Sequence, residues 1–355
     1  MSTIAVAVSG GVDSLYALWH LRQQGHNVCA LHGLFLPQLP APDSDPVPLL
    51  RTNCHNLGIE LHVIDLRQEF ERLVIRPFIA AYAAGHTPNP CALCNARIKF
   101  GLLLDAALAL GAQSLATGHY ARLEQREGQT RLSAAADSHK DQSYFLSLVP
   151  QERLALAHFP LANVHKEDAR RAVAQAGLCV PLPKESQDVC FVPQEYRPFV
   201  AAGAAARGIA LGGAGDALLP DGTAIGKHKG LWRYTEGQRK GMGFAWKEPL
   251  FVQQKEMESN ILRLVPRSGL GMTGCSTGQA NYFVPPAALP KAVLARLRYR
   301  QALVPATASL LPQGGFALSL DQPQFPSAVG QIAALYDASG SLLAGGIIEN
   351  LSLKG

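Results

Sequence analysis

Two stretches hold residue types whose spacing can do chemistry. The first is Ser9-Gly10-Gly11-Val12-Asp13-Ser14, directly after the apolar run Ala5-Val6-Ala7-Val8. A β-branched run, a glycine turn and then a helical pattern read as a strand, a tight loop and a helix N-terminus. At such a junction backbone N–H groups and the helix dipole converge on an anion, phosphate above all. Gly10 and Gly11 permit close approach and positive φ, and Ser9 and Ser14 add hydroxyl donors. Asp13 is out of place beside an anion unless it holds a cation, and Mg²⁺ carried with ATP meets that need. The loop has no lysine and lacks the spacing of a Walker loop.

The second stretch is Thr87-Pro88-Asn89-Pro90-Cys91-Ala92-Leu93-Cys94-Asn95, with Cys190-Phe191 far downstream. Its prolines and asparagines force a non-helical entry, and Asn95 is predicted to N-cap the helix that follows. Cys94 then sits beside a helix N-terminus. The dipole there, with Arg97 and Lys99, favours the thiolate and lowers the pKa from a free value of ~8.5. Such a thiol is a nucleophile, a sulfur carrier or a metal ligand. Structural zinc wants four ligands, usually two Cys-x-x-Cys pairs, and no second pair exists. A thioredoxin-type motif would open a thioredoxin fold, which the first loop contradicts. Cys190 has no local partner, so its role depends on the fold bringing it to Cys94. Cys29, Cys54, Cys179 and Cys275 read as core or incidental residues.

The elements that must position these residues follow from periodicity. Leu15, Leu18, Trp19 and Leu21 have helical spacing, and Gly25 is a C′ stop. Further strands are predicted over 28–31, 60–64 and 114–117, and helices over 49–57, 69–84 and 95–110. A proline-rich loop spans 37–48, and a hairpin 123–132. Helices are expected over 151–157 and 166–177, ended by Pro181 and Pro183. Strands alternating with helices mean a parallel sheet. Phe35 and Leu36 follow the second strand, where a doubly wound sheet places its ligand, so they flank an adenine or belong to the core. The glycine- and alanine-rich stretch 203–215 marks a boundary, and Gly226–Phe244 is basic and glycine-rich. After Gly269 short alternating strands suggest a small β-barrel. Within 294–300, Ala295, Leu297 and Tyr299 face one way, and Arg296, Arg298 and Arg300 the other, a basic face suited to phosphate. The expected fold is α/β: a doubly wound parallel sheet (1–203), a small central domain (204–272) and a C-terminal β-barrel (273–355).

Composition agrees. The 355 residues are 48% hydrophobic and 17% charged, with net charge +5, which suits compact domains and permits a polyanionic partner. No run approaches the ~20 apolar residues of a membrane span, and no signal-type segment opens the chain. A cytoplasmic protein is expected, and seven cysteines in a reducing compartment argue for metal or redox chemistry over structural disulfides.

Ser-Gly-Gly-Val-Asp-Ser resembles the PP-loop of ATP pyrophosphatases, which are adenine nucleotide alpha hydrolase-like. With the second stretch and Ile98-Lys99-Phe100, Ala116-Thr117-Gly118-His119-Tyr120, Lys140-Asp141-Gln142-Ser143-Tyr144-Phe145-Leu146, Ser186, Cys190-Phe191, Thr235-Glu236-Gly237-Gln238-Arg239-Lys240-Gly241, Arg298-Tyr299-Arg300-Gln301, Gly330-Gln331 and Gly345-Gly346-Ile347-Ile348-Glu349, the chain resembles the tRNA-specific 2-thiouridylase family along almost its whole length.

The resemblance implies an ATP-dependent tRNA-uridine 2-sulfurtransferase acting on the wobble uridine. It places the ATP phosphates, with Mg²⁺, on Ala7, Val8, Ser9, Gly10, Gly11, Val12, Asp13 and Ser14, with Leu36 against the adenine and Gly118 on the nucleotide. Asn89, Pro90 and Cys91 would touch the flipped target base. His119, Lys140, Asp141, Gln142, Arg298, Tyr299 and Gln331 would contact tRNA. Cys190 would carry a persulfide, and Cys94 would attack it, leaving a Cys94–Cys190 disulfide. A cysteine desulfurase or sulfur relay protein would supply the sulfur. Cys91 stands where many family members carry Asp. With Cys94 and Cys190 it makes the three-thiol set of related thiolases that hold a 4Fe–4S cluster with one open iron, so the resemblance also admits a cluster on Cys91, Cys94 and Cys190. Another PP-loop tRNA-modifying enzyme, or a non-catalytic RNA-binding or redox-sensing protein, are the alternatives.

Overall fold

A computed structural model describes residues 2–36, 45–126, 128–182 and 189–354. Residues 37–44 of the expected loop, and Pro183 and Ser186, lie outside the described residues.

The first unit alternates strands β1 (Thr3–Ala7), β2 (Asn27–Leu34), β3 (Leu61–Asp65) and β4 (Ser114–Ala116) with helices. A hairpin of β5 (Ala121–Arg126) and β6 (Gln129–Ala134) follows, and then a short strand, β7 (Ala157–His158). The sheet order is β3-β2-β1-β4-β7, with every pairing parallel. The order reverses between β1 and β4, and their carboxyl ends are where such a sheet opens a ligand crevice. The strands are apolar on both faces because helices cover both. One buried cluster includes Leu31, Phe70, Phe78, Ile98 and Leu115, and the other Val6, Leu15, Leu18 and Ala30.

Two expectations need correction here. The helix predicted over 151–157 ends at Leu154, and Ala157 and His158 become the fifth strand of the sheet, paired with Leu115 and Ala116. A two-residue strand carries no periodicity to read. The helix expected from Asn95 begins instead at Pro90. Proline is well suited to that first position because its missing N–H has no intrahelical partner there. Helical segments then run on through residue 109, with a π-wound stretch over Asn95–Leu103 and a break at Gly101 (φ −93°, ψ −107°).

The central sheet comprises β8 (Gly215–Leu218), β9 (Ala224–His228), β10 (Leu250–Glu256) and β11 (Ile261–Pro266), ordered β10-β11-β8-β9. The last unit is a closed barrel of β12 (Met272–Tyr282), β13 (Ala292–Arg296), β14 (Val304–Leu310), β15 (Phe316–Gln324), β16 (Ile332–Tyr336) and β17 (Leu342–Leu353). Closure leaves no free edge. Arg298 and Arg300 were expected on a strand face, but β13 ends at Arg296. They sit in the following turn, where Arg300 takes φ +64°. Among the described residues, no helix is long and apolar enough to cross a membrane.

Candidate active site

The loop after β1 has a shape that suits an anion, and short-range chemistry builds it. The helix Val12–Gln23 has Gly11 as its N-cap, with no side-chain cap, so its first amides are left for a ligand. Ser14 Oγ accepts from Ser9 N (3.1 Å) and donates to Gly11 O (2.9 Å), folding the loop back on itself. Gly10 has φ +91°, and a Cβ there would lie 3.0 Å from Pro46 Cβ. Gly118, just past β4, packs on the same loop: a Cβ would lie 2.8 Å from Asp13 C and Ser14 N. Ala7, Val8, Ser9, Gly10, Gly11, Val12, Asp13 and Ser14 are therefore met by Gly118 at the carboxyl ends of β1 and β4. Leu36 packs half-buried on the core near β2's end, whereas Phe35 stacks on Phe70 (5.4 Å between centroids) and spends its ring there.

Asp13 does have a cationic partner, which is Lys166. The ammonium lies 2.8 and 2.7 Å from the two carboxylate oxygens, and Tyr120 Oη donates to Asp13 at 2.9 Å. Lys166 was missed in the sequence, where it reads as the first residue of an ordinary amphipathic helix.

The thiols lie on the other side of β4. Asn89 Oδ1 accepts from Ala92 N (3.2 Å) and caps the helix that carries Cys91 and Cys94. Asn95, expected as that cap, is inside the helix and donates to Phe145 O at 3.0 Å. Cys94 is thus not at a helix N-terminus. Burial pushes its thiol up to about 12, opposed by the nearby Lys99 and reinforced by Cys190 and Cys91, contrary to the lowered value expected. Cys91 and Cys190 are exposed by surface area, yet enough protein crowds them that burial still raises both thiols, with Lys99 opposing. The three thiols therefore share one electrostatic neighbourhood. Phe191 brings Cys190 there: its buried ring meets Phe78 (5.1 Å) and Phe70 (5.7 Å) edge-on. The expected cluster set is Cys91, Cys94 and Cys190. Among the described residues no three His, Cys, Asp or Glu side chains converge to hold a metal, so Cys91, Cys94 and Cys190 do not form a gathered ligand set in this conformation.

The residues expected to meet tRNA divide by placement. His119 is buried, bonded to Thr117 Oγ1 (2.7 Å) and Lys99 Nζ (3.4 Å), and burial holds its pKa well down, so the ring is neutral. Asp141 is buried against Arg296 (2.5 Å) and Ser143, and Gln142 Oε1 accepts from Tyr120 N. Lys140 is half-buried in the adjoining turn. Arg298 donates to Glu236 O (3.0 Å) and lies over Phe325; Tyr299 packs on Phe145; Gln331 donates to Thr87 O (2.8 Å).

Family models match most of the chain in three parts: a tRNA methyl transferase HUP domain over residues 2–194, a tRNA methyl transferase PRC-barrel domain over 212–266, and an aminomethyltransferase beta-barrel domain over 272–348. The chain is 49% identical to the tRNA-specific 2-thiouridylase MnmA of Nitratidesulfovibrio vulgaris (strain Miyazaki F), covering 97% of this chain and 98% of that one. It is 47% identical to the protein of the same name from Lawsonia intracellularis, covering 98% and 99%. Among solved structures, the U34-tRNA thiolase NcsA from Methanococcus maripaludis with its 4Fe–4S cluster matches at 15% identity and TM-score 0.37, over 58% of this chain and 66% of that one. With relatives of that identity over nearly full length and the first family model covering residues 2–194, the chain belongs to the tRNA-specific 2-thiouridylase family.

Proposed function

We propose that this protein is a tRNA-uridine 2-sulfurtransferase that adenylates the wobble uridine with Mg-ATP and replaces its O2 with sulfur. The observation that carries the reading is that Phe191 packs the Cys190 segment into the same buried cluster as Cys94, 96 residues earlier, on a sheet whose strand end at Gly118 packs on the Asp13–Ser14 turn. Two thiols on one side of the sheet and an anion-binding loop at its carboxyl edge suit sulfur transfer to a nucleotide-activated carbon.

The amides of the Ala7–Ser14 loop hold the ATP phosphates, and Lys166 fixes Asp13 at their edge. Uridine O2 attacks the α-phosphorus, the α–β bridging bond breaks, and pyrophosphate leaves. Sulfane sulfur on Cys190, loaded by a sulfur donor protein, attacks C2 through its terminal atom. The Cys94 thiolate then attacks Cys190 Sγ and forms the Cys94–Cys190 disulfide. The sulfur stays on C2 as the S–S bond breaks, and AMP departs with the former O2. A thiol reductant resets the pair. Lys99 is the cation that opposes the cost of the Cys94 thiolate. Cys91, Cys94 and Cys190 are the residues that would hold a 4Fe–4S cluster, and no step here is routed through one. The free thiols suit the cytoplasm, and the 1–203, 204–272 and 273–355 division is part of this reading.

The test supplies unmodified tRNA, ATP and a sulfane donor. The reading predicts AMP formation and an oxygen-to-sulfur exchange at the wobble uridine. A chain that binds tRNA but forms neither is a binding protein, and Cys190→Ala that still thiolates ends the persulfide role.

A further inference from the structure

The stretch Thr235-Glu236-Gly237-Gln238-Arg239-Lys240-Gly241 takes no part in the chemistry above, yet it reaches the loop that enters the thiol helix. Thr235 Oγ1 is hydrogen-bonded to Thr87 Oγ1 at 3.0 Å, across 148 residues. We propose that Thr235 is a positioning residue for the 87–91 loop, through which the central unit sets where Asn89, Pro90 and Cys91 meet the base; this rests on the thiolation reading.

The loop is gripped from two units at once. The barrel holds its backbone: Val329 O accepts from Thr87 N (2.7 Å), and Gln331 Nε2 donates to Thr87 O (2.8 Å) and Pro88 O (3.3 Å). Gly330, at φ +94°, leaves just enough room, since a Cβ there would lie 3.0 Å from Thr87 C and O. The central unit holds the Thr87 side chain through Thr235.

The turn that presents Thr235 is itself rigid. Gly237 N donates to Val252 O (2.8 Å), Val252 N to Gln238 O (2.9 Å), and Thr235 N to Gln238 Oε1 (3.1 Å). Beneath it Glu236 Oε2 lies 3.3 Å from Lys255 Nζ, with the two side chains 4% and 2% exposed. Lys255 Nζ also donates to Tyr234 O at 3.0 Å, and Arg298 Nη2 to Glu236 O at 3.0 Å. A buried ion pair is poor value as stability, and its best-attested use is to fix register. Here it fixes the turn whose first residue touches Thr87. Asn89 caps the thiol helix two residues beyond Thr87, so a shift of Thr87 moves Cys91 directly. Misplacement by about 1 Å costs up to about 100-fold in rate.

Thr235→Val keeps the shape and removes the hydroxyl; Thr235→Ser restores it. In the full chain, thiolation kcat and the KM for tRNA are measured with the melting temperature, and hydrogen exchange is followed over residues 86–95. The expected result for Thr235→Val is a kcat lowered about 10-fold or more, an unchanged KM and melting temperature, and faster exchange in the loop, with Thr235→Ser close to the parent. Parent-like turnover in Thr235→Val, a loss confined to KM, or no recovery in Thr235→Ser overturns the proposal. A parent chain that does not thiolate tRNA overturns the underlying reading instead, and the exchange comparison then decides the positioning role alone.

Discussion

Lys166 Nζ lies 2.7 and 2.8 Å from the two carboxylate oxygens of Asp13, across 153 residues of chain. The pair joins the helix over Lys166–Gln175 to the helix that starts the ATP loop, and the lysine is 8% exposed. Removing one partner leaves the other charge without its counter-ion at that junction. Lys166→Met is expected to cost about 1.5–3 kcal/mol, the range for hydrogen bonds to charged groups, and to reduce AMP formation at fixed ATP. Denaturant unfolding and an ATP titration of AMP release check both. In a double-mutant cycle with Asp13→Asn, the two stability losses are expected not to add.

Cys91 distinguishes the sulfur routes. In the persulfide scheme the reacting sulfurs are Cys190 and Cys94, and Cys91 only lines the base pocket. Cys91→Ser is then expected to retain thiolation with a sulfane donor, while Cys94→Ala and Cys190→Ala lose product yet still bind tRNA. Anaerobic purification with iron and sulfide analysis completes the test. A brown, iron-containing parent whose activity and iron both vanish in Cys91→Ser would move the chemistry onto a cluster.

Alkaline pH should destabilise the fold through its thiols. Burial pushes Cys54 from 9.0 to about 11, and Cys94 and Cys275 to about 12. A raised thiol pKa means that the folded state keeps a proton the unfolded chain releases. Stability is therefore level below about pH 9 and falls as pH rises from there toward 11–12. Melting temperatures under reducing, anaerobic conditions should decline from pH 9 upward. Cys275→Ala should start lower at pH 7, through the lost packing, and decline less steeply.

How much of this was legible in the chain depended on range. The junction after β1 was, because strand, glycine turn and helix are contiguous. The barrel was too, since alternation such as Phe316-Ala317-Leu318-Ser319-Leu320 is local. The helix start was misplaced because both Asn89 and Asn95 are good caps, and only tertiary packing of Asn95 against Phe145 chooses between them. That error reversed the expected shift at Cys94, where burial outweighs any dipole. Lys166 had no local signal, and Thr235, though inside the quoted motif Thr235–Gly241, had nothing beside it that pointed to Thr87. Each acts through a partner more than a hundred residues away, and a lone lysine on paper is a surface residue by default.

Gly118 offers the sharpest test of the shared crevice. Its φ is not in the left-handed region, so alanine is permitted by the backbone. The obstacle is space, because a Cβ would stand 2.8 Å from Asp13 C and Ser14 N and 2.9 Å from Asp13 Cβ. Backbone atoms cannot swing aside as a side-chain tip can. Gly118→Ala must push the first turn of the Val12–Gln23 helix away from β4, at an overpacking cost of about 1–3 kcal/mol. In the proposed reaction the displaced amides hold phosphate, so AMP formation is expected to fall sharply. The thiols lie beyond β4 and are held by Asn89 and Phe191, so alkylation of Cys94 and Cys190 by iodoacetamide should keep the parent's rates. Equal loss in both assays would mean general unfolding, and parent-like ATP use would mean that Gly118 does not shape the nucleotide site.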